Sequence, residues 1–363
     1  MAYDIDEYAT STYEANAQAI ARTADLSVGE PNLPSADIVL AGAPCQGFST
    51  SGKRDVNDPR NQLTLRAAQL ALRVRPRVIV MENVPAALSG EHGRIWSTAE
   101  DLLRWYGYNV RRLLVSGVES GVPQRRKRLF LVCWLGSDCI NIAPQPISAP
   151  TLWEAFRGLE SCPDHDPIEL KAGTRDALIA ASIPRGKKLC NVRVSAAAIP
   201  TWDIPKVFGR TTRAQREVLV AVVRLRRRDR RRDYGDADPV QVSQIARHLG
   251  RKVDDDVSAL IRSGYLRKIN RRIDITHTYN GKFRRLDWDA PAPTVDTHFG
   301  DPRLFLHPDD NRGLTTREAA RIQGFPDAFQ FLGGRRERFR LIGNAVPPPM
   351  AGRIAAFVRA ALL

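Results

Sequence analysis

The sequence predicts an α/β protein: a doubly wound, mostly parallel, Rossmann-like sheet joined to a second, smaller domain. Three observations carry this expectation. Short apolar runs, Asp37-Ile38-Val39-Leu40-Ala41-Gly42 and Val78-Ile79-Val80-Met81, each end abruptly in polar, chemically capable residues. Segments of helical period separate such runs, the pattern that makes parallel sheets with crossover helices. Composition then changes between about 146 and 310, where arginine accumulates.

Taken in order, strands are expected near 37–42, 78–83, 109–115 and 129–135. Arg60 to Arg73 places Leu63, Ala67, Leu70 and Ala71 at helical spacing, and His92 to Tyr106 reads as a second helix. The first strand leads into Ala43-Pro44-Cys45-Gln46-Gly47-Phe48-Ser49 and the second into Glu82-Asn83-Val84-Pro85. Val122 to Arg128 precedes the strand Leu129-Phe130-Leu131-Val132. Three strand ends thus offer a thiol, a carboxylate and guanidinium groups, where open α/β sheets form their ligand crevice.

Lys plus Arg exceed Asp plus Glu by 55 minus 40, a net +15 that favours a polyanionic partner through counterion release. No apolar stretch approaches bilayer length and the polar amino terminus is not a signal peptide, so a cytoplasmic, nucleoid-associated protein is expected. The five cysteines (45, 133, 139, 162, 190) show no C-x-x-C spacing, which argues against a disulfide framework or a structural zinc site. Cys133 reads as core, and Cys162 with His165 lacks the second pair a metal would need, so no metal is expected.

Pro-Cys-Gln-Gly-Phe-Ser at 44–49, Glu-Asn-Val at 82–84, Gln-Arg-Arg-Lys-Arg at 124–128, Arg312 to Pro326 and Ile342-Gly343-Asn344-Ala345-Val346-Pro347-Pro348 occur in this order. Together they resemble the DNA (cytosine-5) methyltransferase family, over roughly 1–135 and 280–363. The resemblance implies a Rossmann-like methyltransferase fold, S-adenosylmethionine as cofactor and duplex DNA as partner. It also implies that the target cytosine is flipped out of the duplex. Carbon 5 of cytosine is a poor nucleophile until a thiolate adds at carbon 6, the role implied for Cys45. Glu82 would protonate or hydrogen-bond ring nitrogen 3, which requires a carboxyl group of raised pKa. Arg128 is expected to reach the cytosine carbonyl oxygen, and Arg126 to brace Glu82 or Cys45. Gln46, Ser49, Lys53 and Arg54 fall in the loop that closes over the target base.

The family opens with a strand and a Phe-x-Gly-x-Gly-like turn around the methionine part of the cofactor, and this sequence has no such segment. Met1 to Ala9 resembles the family's second block instead. On that alignment Asp4 binds the cofactor ribose, Ile5 flanks the adenine, and Asp25 with Leu26 contacts the adenine edge. Gly42, Pro44 and Leu63 complete the wall, with Asn344 and Ala345 closing it. The absent strand is central in this fold, and its loss leaves two exposed strand edges. A late start, a partner chain supplying the strand, or decay of the enzyme are the three readings.

Residues 144–150 form a proline-rich hinge. Arg210 to Gly235 holds ten basic and three acidic residues, a net +7. Such mutually repelling arginines are relieved by phosphate, which points to Arg226, Arg227, Arg228, Arg230 and Arg231. A winged-helix-like insert follows, about 210–276 in all. Asp238-Pro239 opens a helix running to Gly250, Asp254 to Arg262 forms a second, and Tyr265 to Thr276 forms a hairpin turning at Asn270-Arg271-Arg272. A helix of this kind can enter the major groove while the basic hairpin, with Arg271 and Arg272, touches phosphate; the alternative is an oligomerisation or packing module with no base contacts. Further on, Thr315 and Glu318 read as a capping box, and Ile354 to Leu362 as a helix packed on the sheet.

The domains expected are therefore 1–145 (catalytic and cofactor), 146–310 (target recognition) and 311–363 (a return to the catalytic domain). The function expected is transfer of a methyl group from S-adenosylmethionine to cytosine carbon 5 within a specific duplex sequence, as in prokaryotic modification. The alternatives are a catalytically dead or split DNA-binding remnant, or an enzyme acting on RNA cytosine.

Overall fold

The structure, a computed structural model, describes residues 1–29, 31–44, 62–136, 146–228 and 237–362. Cys45, Gln46, Ser49, Lys53, Arg54, Arg230 and Arg231 lie outside the described residues. The chain divides into two compact units. Unit 1 comprises Met1–His165, Pro291–Thr297 and Thr316–Leu363, and unit 2 comprises Asp166–Ala290 and His298–Thr315.

Unit 1 begins with β1 (Ala2–Asp4), α1 (Glu7–Ala17) and β2 (Ala21–Thr23), the two strands pairing in parallel. Next come β3 (Ile38–Gly42), α2 (Leu63–Val74), β4 (Val78–Asn83), α3 (Gly90–Trp105), β5 (Asn109–Ser116) and β6 (Lys127–Trp134). These four strands lie in the order β3-β4-β6-β5. They fall within about two residues of the expected ranges, but the expectation of a mostly parallel sheet is corrected. Only β3–β4 is parallel in this sheet, while β4–β6 and β6–β5 are antiparallel. Residues 117–126, which join β5 to β6, hold no helix, and a parallel return needs a longer crossover. The sheet is mixed because β6 turns straight back between β4 and β5.

Alternation sorts the sheet's side chains onto two cores. Ile79, Met81, Leu129, Leu131 and Cys133 face Ala68, Ala71, Trp96 and Leu103 of α2 and α3. Val78, Val80, Phe130, Val132 and Trp134 face the other side. β4 and β6 are covered on both faces, which explains their unbroken apolar runs. β3 is not. Val39 and Ala41 pack inward, whereas Ile38 and Leu40 are 38% and 75% exposed. Among the described residues β3 pairs only with β4. A short helix, α4 (Leu152–Ala155), is capped by Thr151, whose hydroxyl accepts from Glu154 N.

Unit 2 holds α5 (Arg175–Ala181), β7 (Lys188–Cys190), β8 (Ala198–Ile199), α6 (Pro205–Phe208), α7 (Arg213–Arg228), α8 (Val242–Leu249) and α9 (Asp254–Arg262). It continues through β9 (Leu266–Ile269), β10 (Arg272–Ile275), β11 (Asn280–Lys282), β12 (Arg284–Arg285) and β13 (Phe305–Leu306). β7 lies between β8 and β11. One core gathers Val218, Leu219 and Val222 of α7, Ile245 of α8, Leu260 of α9 and Ile273 of β10. The β9–β10 hairpin turns through Asn270 and Arg271, both left-handed (φ 43° and 62°), the geometry that matches strand twist.

Two expectations here change. The helix expected to open at Asp238-Pro239 begins at Val242, behind the cap Gln241, because Val240 is engaged with Ile273 as a β-bridge. Arg226, expected on phosphate, is 4% exposed, and its Nε lies 2.7 Å from Asp274 Oδ1, off the line of the N–H. It is an internal ion pair between α7 and the hairpin, whereas Arg224, Arg227 and Arg228 stay at the surface.

The chain returns to unit 1 through α10 (Thr316–Ile322), α11 (Arg335–Asn344) and α12 (Pro348–Leu362). α10 starts one residue after Thr315. Met350, Ile354, Phe357 and Val358 of α12 cover the second face of the sheet, as expected for the apolar tail.

Removing one partner of a buried ion pair strands the other charge. Arg226→Ala should therefore cost about 3 kcal/mol, near the lower end for such pairs because Arg267 also reaches Asp274. The exposed Arg227→Ala should change stability by less than about 0.5 kcal/mol. Urea denaturation of the two variants measures the contrast, and equal midpoints would contradict the buried pair.

Candidate active site

Glu82 occupies the second-to-last position of β4, directly across from Gly42 at the end of β3. The chain leaving β3 toward Ala43 and Pro44 therefore starts beside this carboxylate, and Asn83 Nδ2 donates to Ala43 O at 3.4 Å. Arg128 enters from the antiparallel neighbour β6, its Nε 2.8 Å from Glu82 Oε1. Both side chains are largely buried, at 12% and 19% exposed. Burial pushes the Glu82 carboxyl above its ordinary value, against the opposing pull of Arg128 and then Arg126. The raised carboxyl that the sequence required is present. Because the folded state holds this proton more tightly than the unfolded chain does, Glu82 increasingly opposes folding as pH rises through its folded-state pKa.

The arginine roles differ from those expected. Arg128, not Arg126, pairs with Glu82. Arg126 is fully buried; its Nη1 donates to Val295 O at 2.9 Å, and its Nη2 to Gly343 O at 3.0 Å and Ala345 O at 2.9 Å. It binds the carboxyl-terminal return to the start of β6. Sequence reasoning missed two companions, Gln124 and Gln323, both fully buried. Gln124 Nε2 donates to Ile322 O at 3.1 Å and to Gln323 Oε1, and Gln124 Oε1 accepts from Val295 N at 3.1 Å. Gln323 Nε2 donates to Ile342 O at 2.6 Å. Gln323 was signalled by its place between Ile322 and Gly324-Phe325, whereas Gln124, followed by Arg125-Arg126-Lys127-Arg128, carried no such signal. Gly343 permits the close approach, since a Cβ there would sit 2.5 Å from the backbone of Asp296 and Thr297.

Of the residues expected around a cofactor, Asp4, Ile5, Asp25, Leu26, Gly42 and Pro44 lie at or just past the carboxyl ends of strands, whereas Leu63 opens α2 and Asn344 and Ala345 close α11. Asp4 lies opposite Thr23 in the β1–β2 register, so Asp4 and Ile5 leave the pair at the same end as Asp25 and Leu26. Asp4 Oδ1 accepts from Asp6 N, and Ile5 is 68% exposed. Asp25 Oδ1 accepts from Ser27 N and Oγ, which lowers its pKa. Arg66 of α2 donates to Leu26 O, which ties that loop to the helix opened by Leu63. Arg340 of α11 pairs with Asp6 at 2.7 Å, linking the helix that ends in Asn344 to the residues after β1. Among the described residues no side chain fills the space a Cβ at Gly42 would enter. An exposed apolar side chain next to a carboxylate is the chemistry that suits an adenosine. The described residues offer no matching glycine-rich turn for a methionine moiety. No group of three or more potential metal ligands occurs among the described residues. No described helix is long and apolar enough to cross a membrane.

A mixed sheet covered by helices on both faces, with a paired Glu and Arg at its strand ends, defines a Rossmann-like methyltransferase. Solved structures agree on the fold. A DNA modification methyltransferase encoded within an E. coli prophage matches with TM-score 0.58 at 24% identity over 100% of this chain and 92% of that one. The Entamoeba histolytica methyltransferase EhMeth matches with TM-score 0.54 at 12% identity over 100% and 90%. The C-5 cytosine-specific DNA methylase family model matches residues 1–359, and the chain belongs to that family. Relatives include the Type II methyltransferase M.AgeI of Thalassovita gelatinovora, 26% identical over 90% of this chain and 83% of its own length. M.HgiCII of Herpetosiphon aurantiacus is 28% identical over 88% and 81%. DNA (cytosine-5)-methyltransferase 3 of Arabidopsis thaliana is 27% identical over 90% of this chain but 23% of its own length. The protein is thus an enzyme of the DNA cytosine-5 methyltransferase kind.

Replacing Arg128 with Met removes the nearer cation opposing the burial effect. The Glu82 carboxyl should then titrate at higher pH than in the parent, as followed by carbon NMR of labelled glutamate. A downward or absent shift would show that Arg128 does not govern this carboxyl.

Proposed function

We propose that the chain methylates carbon 5 of a cytosine flipped out of a specific duplex sequence, as a prokaryotic modification enzyme acting in the cytoplasm on nucleoid DNA. The observation that carries this reading is the Glu82–Arg128 pair, set across from the end of β3, from which the chain runs to position 45. Cys45 adds as a thiolate to cytosine carbon 6 while Glu82 donates a proton toward nitrogen 3, so electron density moves to carbon 5. Arg128 steadies Glu82 through Nε while its Nη1 donates to Lys127 O, and in this proposal the same guanidinium contacts the carbonyl oxygen of the base. After methyl transfer a water molecule takes the proton from carbon 5, the carbon 5–carbon 6 double bond re-forms as the thiolate leaves, and nitrogen 3 returns its proton to Glu82. Asp4, Ile5, Asp25, Leu26, Gly42, Pro44, Leu63, Asn344 and Ala345 hold S-adenosylmethionine, which supplies the methyl group when bound. Gln46, Ser49, Lys53 and Arg54 close over the base.

Unit 2 takes the target-recognition role in this proposal. Three helices and a hairpin, with Val240 bridging to Ile273, support a winged-helix-like reading of 213–275. α9 opens with Asp254, Asp255 and Asp256, a turn that repels phosphate. DNA contact therefore rests on Arg227 and Arg228, with Arg230 and Arg231 beyond them, and on Arg271 and Arg272 at the hairpin turn.

A second feature favours completion of the sheet by another strand. The outer edge of β3 and its exposed Ile38 and Leu40 match the flank of a parallel strand whose glycine-rich turn would serve the methionine moiety. A strand of this kind, whether from this protein or from a partner chain, is the proposed occupant of that edge. Leu40→Arg should leave the stability of the chain within about 0.5 kcal/mol of the parent. It should also abolish the S-adenosylmethionine binding that a separately expressed strand with a Phe-x-Gly-x-Gly turn restores, read by calorimetry. Restoration undiminished in Leu40→Arg would refute this edge as the docking line.

The mechanism is tested with a 5-fluorocytosine duplex, S-adenosylmethionine and the completing strand. A covalent adduct should form at Cys45, and Cys45→Ala should form none. Glu82→Gln should slow adduct formation about 100- to 10,000-fold, the usual contribution of a positioned acid. If duplex and donor both bind without an adduct, the enzymatic reading fails and a DNA-binding remnant is left.

A further inference from the structure

Unit 2 contains a cavity of about 180 Å³ lined by Arg175, Thr201, Val207, Phe208, Ser263, Gly264, Tyr265, Thr276 and His277. Its polar lining is cationic and hydroxylic, and no carboxylate belongs to it. Arg175 follows the N-cap Thr174 of α5. Its guanidinium lies over the Phe208 ring, 5.3 Å from the centroid, and Nη2 donates to Tyr279 Oη at 3.4 Å. It has no carboxylate partner among the described residues, whereas nearby Arg185 and Arg303 are both neutralised, by Asp309 and Asp176.

The opposite wall is held in a costly conformation. His277 is left-handed (φ 46°), unfavourable for a residue with a Cβ. Asn191, itself 2% exposed, holds it there: its Nδ2 donates to His277 O at 3.0 Å and its Oδ1 accepts from Tyr279 N at 2.7 Å. The same buried amide thus fixes His277 and the Tyr279 that meets Arg175. The exposed His277 ring has no hydrogen-bond partner among the described residues. Ser263 sits at the end of α9 and Thr276 just beyond β10, so the cavity joins the helix-and-hairpin module to the rest of unit 2.

We infer that this cavity binds a phosphate group, with Arg175 and His277 as its cationic and N–H donors; the hydroxyls of Ser263 and Thr276 already donate to Leu260 O and Gly264 O and only line the wall. Given the reading above that unit 2 contacts DNA, the group is a backbone phosphodiester of the duplex, and the site positions unit 2 without reading sequence. Asn191 acts as a positioning residue, through His277 and Tyr279.

The test uses the full chain with two duplexes of unrelated sequence, whose affinities are measured by fluorescence anisotropy across a salt series. Arg175→Gln should weaken both equally, roughly tenfold at 0.1 M salt, and make the log–log salt slope shallower by about one. Arg175→Lys should keep the parental slope. His277→Ala alters an exposed side chain and serves as the test should Arg175→Gln unfold. Inorganic phosphate forms the second arm: it should shift the His277 ring resonances saturably in the parent and not in Arg175→Gln. A parental slope in Arg175→Gln and His277→Ala, with duplex binding intact, overturns the phosphodiester site. Should the parent bind no duplex, the DNA reading of unit 2 fails. The phosphate arm then decides alone: a saturable shift upholds a site for free phosphate, and no shift ends the proposal.

Discussion

The Arg126 guanidinium is the contact on which the catalytic architecture depends. Three backbone carbonyls from two later segments accept from it, at Val295, Gly343 and Ala345. A buried guanidinium must find acceptors for its N–H groups, and carbonyls with no regular ladder to join must find donors. Each solves the other's problem. Arg126 immediately precedes β6, two residues before Arg128, so the joint that recovers the carboxyl-terminal return also sets where Arg128 stands against Glu82. The paired amides Gln124 and Gln323 extend the joint, and Gly343 lets the backbones close to a distance no side chain would allow. The carboxyl-terminal return and the Glu82–Arg128 pair therefore share one polar core.

Much of this was legible in the sequence, and the failures have identifiable causes. Strand positions were readable because β4 and β6 are covered on both faces and carry uninterrupted apolar runs. Strand direction was not, since periodicity reports burial and says nothing of polarity along the sheet; the clue was the absence of helical spacing between Val115 and Lys127. Glu82 was identifiable as a carboxyl needing a raised pKa, yet its partner was misassigned. Arg126 and Arg128 differ by two residues on strand-like backbone and point to the same side, so only depth separates a staple from a contact residue. Arg226 failed for a related reason. It belongs to an arginine run on a helix whose buried face is otherwise apolar, and nothing local announces that Asp274, forty-eight positions later, comes to meet it.

Arginine burial is a recurring solution in this basic chain. Arg285 of unit 2 donates to the carbonyls of Ile183, Ala180, His307 and Asp310, and burial lowers its pKa without neutralising it. Arg317 of unit 1 likewise donates to backbone carbonyls, those of Pro163, Pro326 and Phe329. A planar fork of five donors suits irregular loops, whose carbonyls converge from several directions; lysine could not satisfy as many at fixed angles. The positive excess thus divides between surface charge available to a polyanion and internal charge that replaces secondary structure as the fastener of loops.

The outer rim of β3 has a colloidal consequence. Among the described residues this edge has no ladder partner and it bears Ile38 and Leu40, which invites zipper-like stacking of copies, an outcome natural sheets usually prevent with edge lysine or proline. Here the deterrent is long-ranged: molecules carrying a formal +15 repel one another before the rims touch. That shield thins as electrolyte is added, the Debye length falling to about 3 Å at 1 M. Preparations of the chain on its own should therefore cloud as the buffer becomes saltier, the reverse of ordinary salting-in.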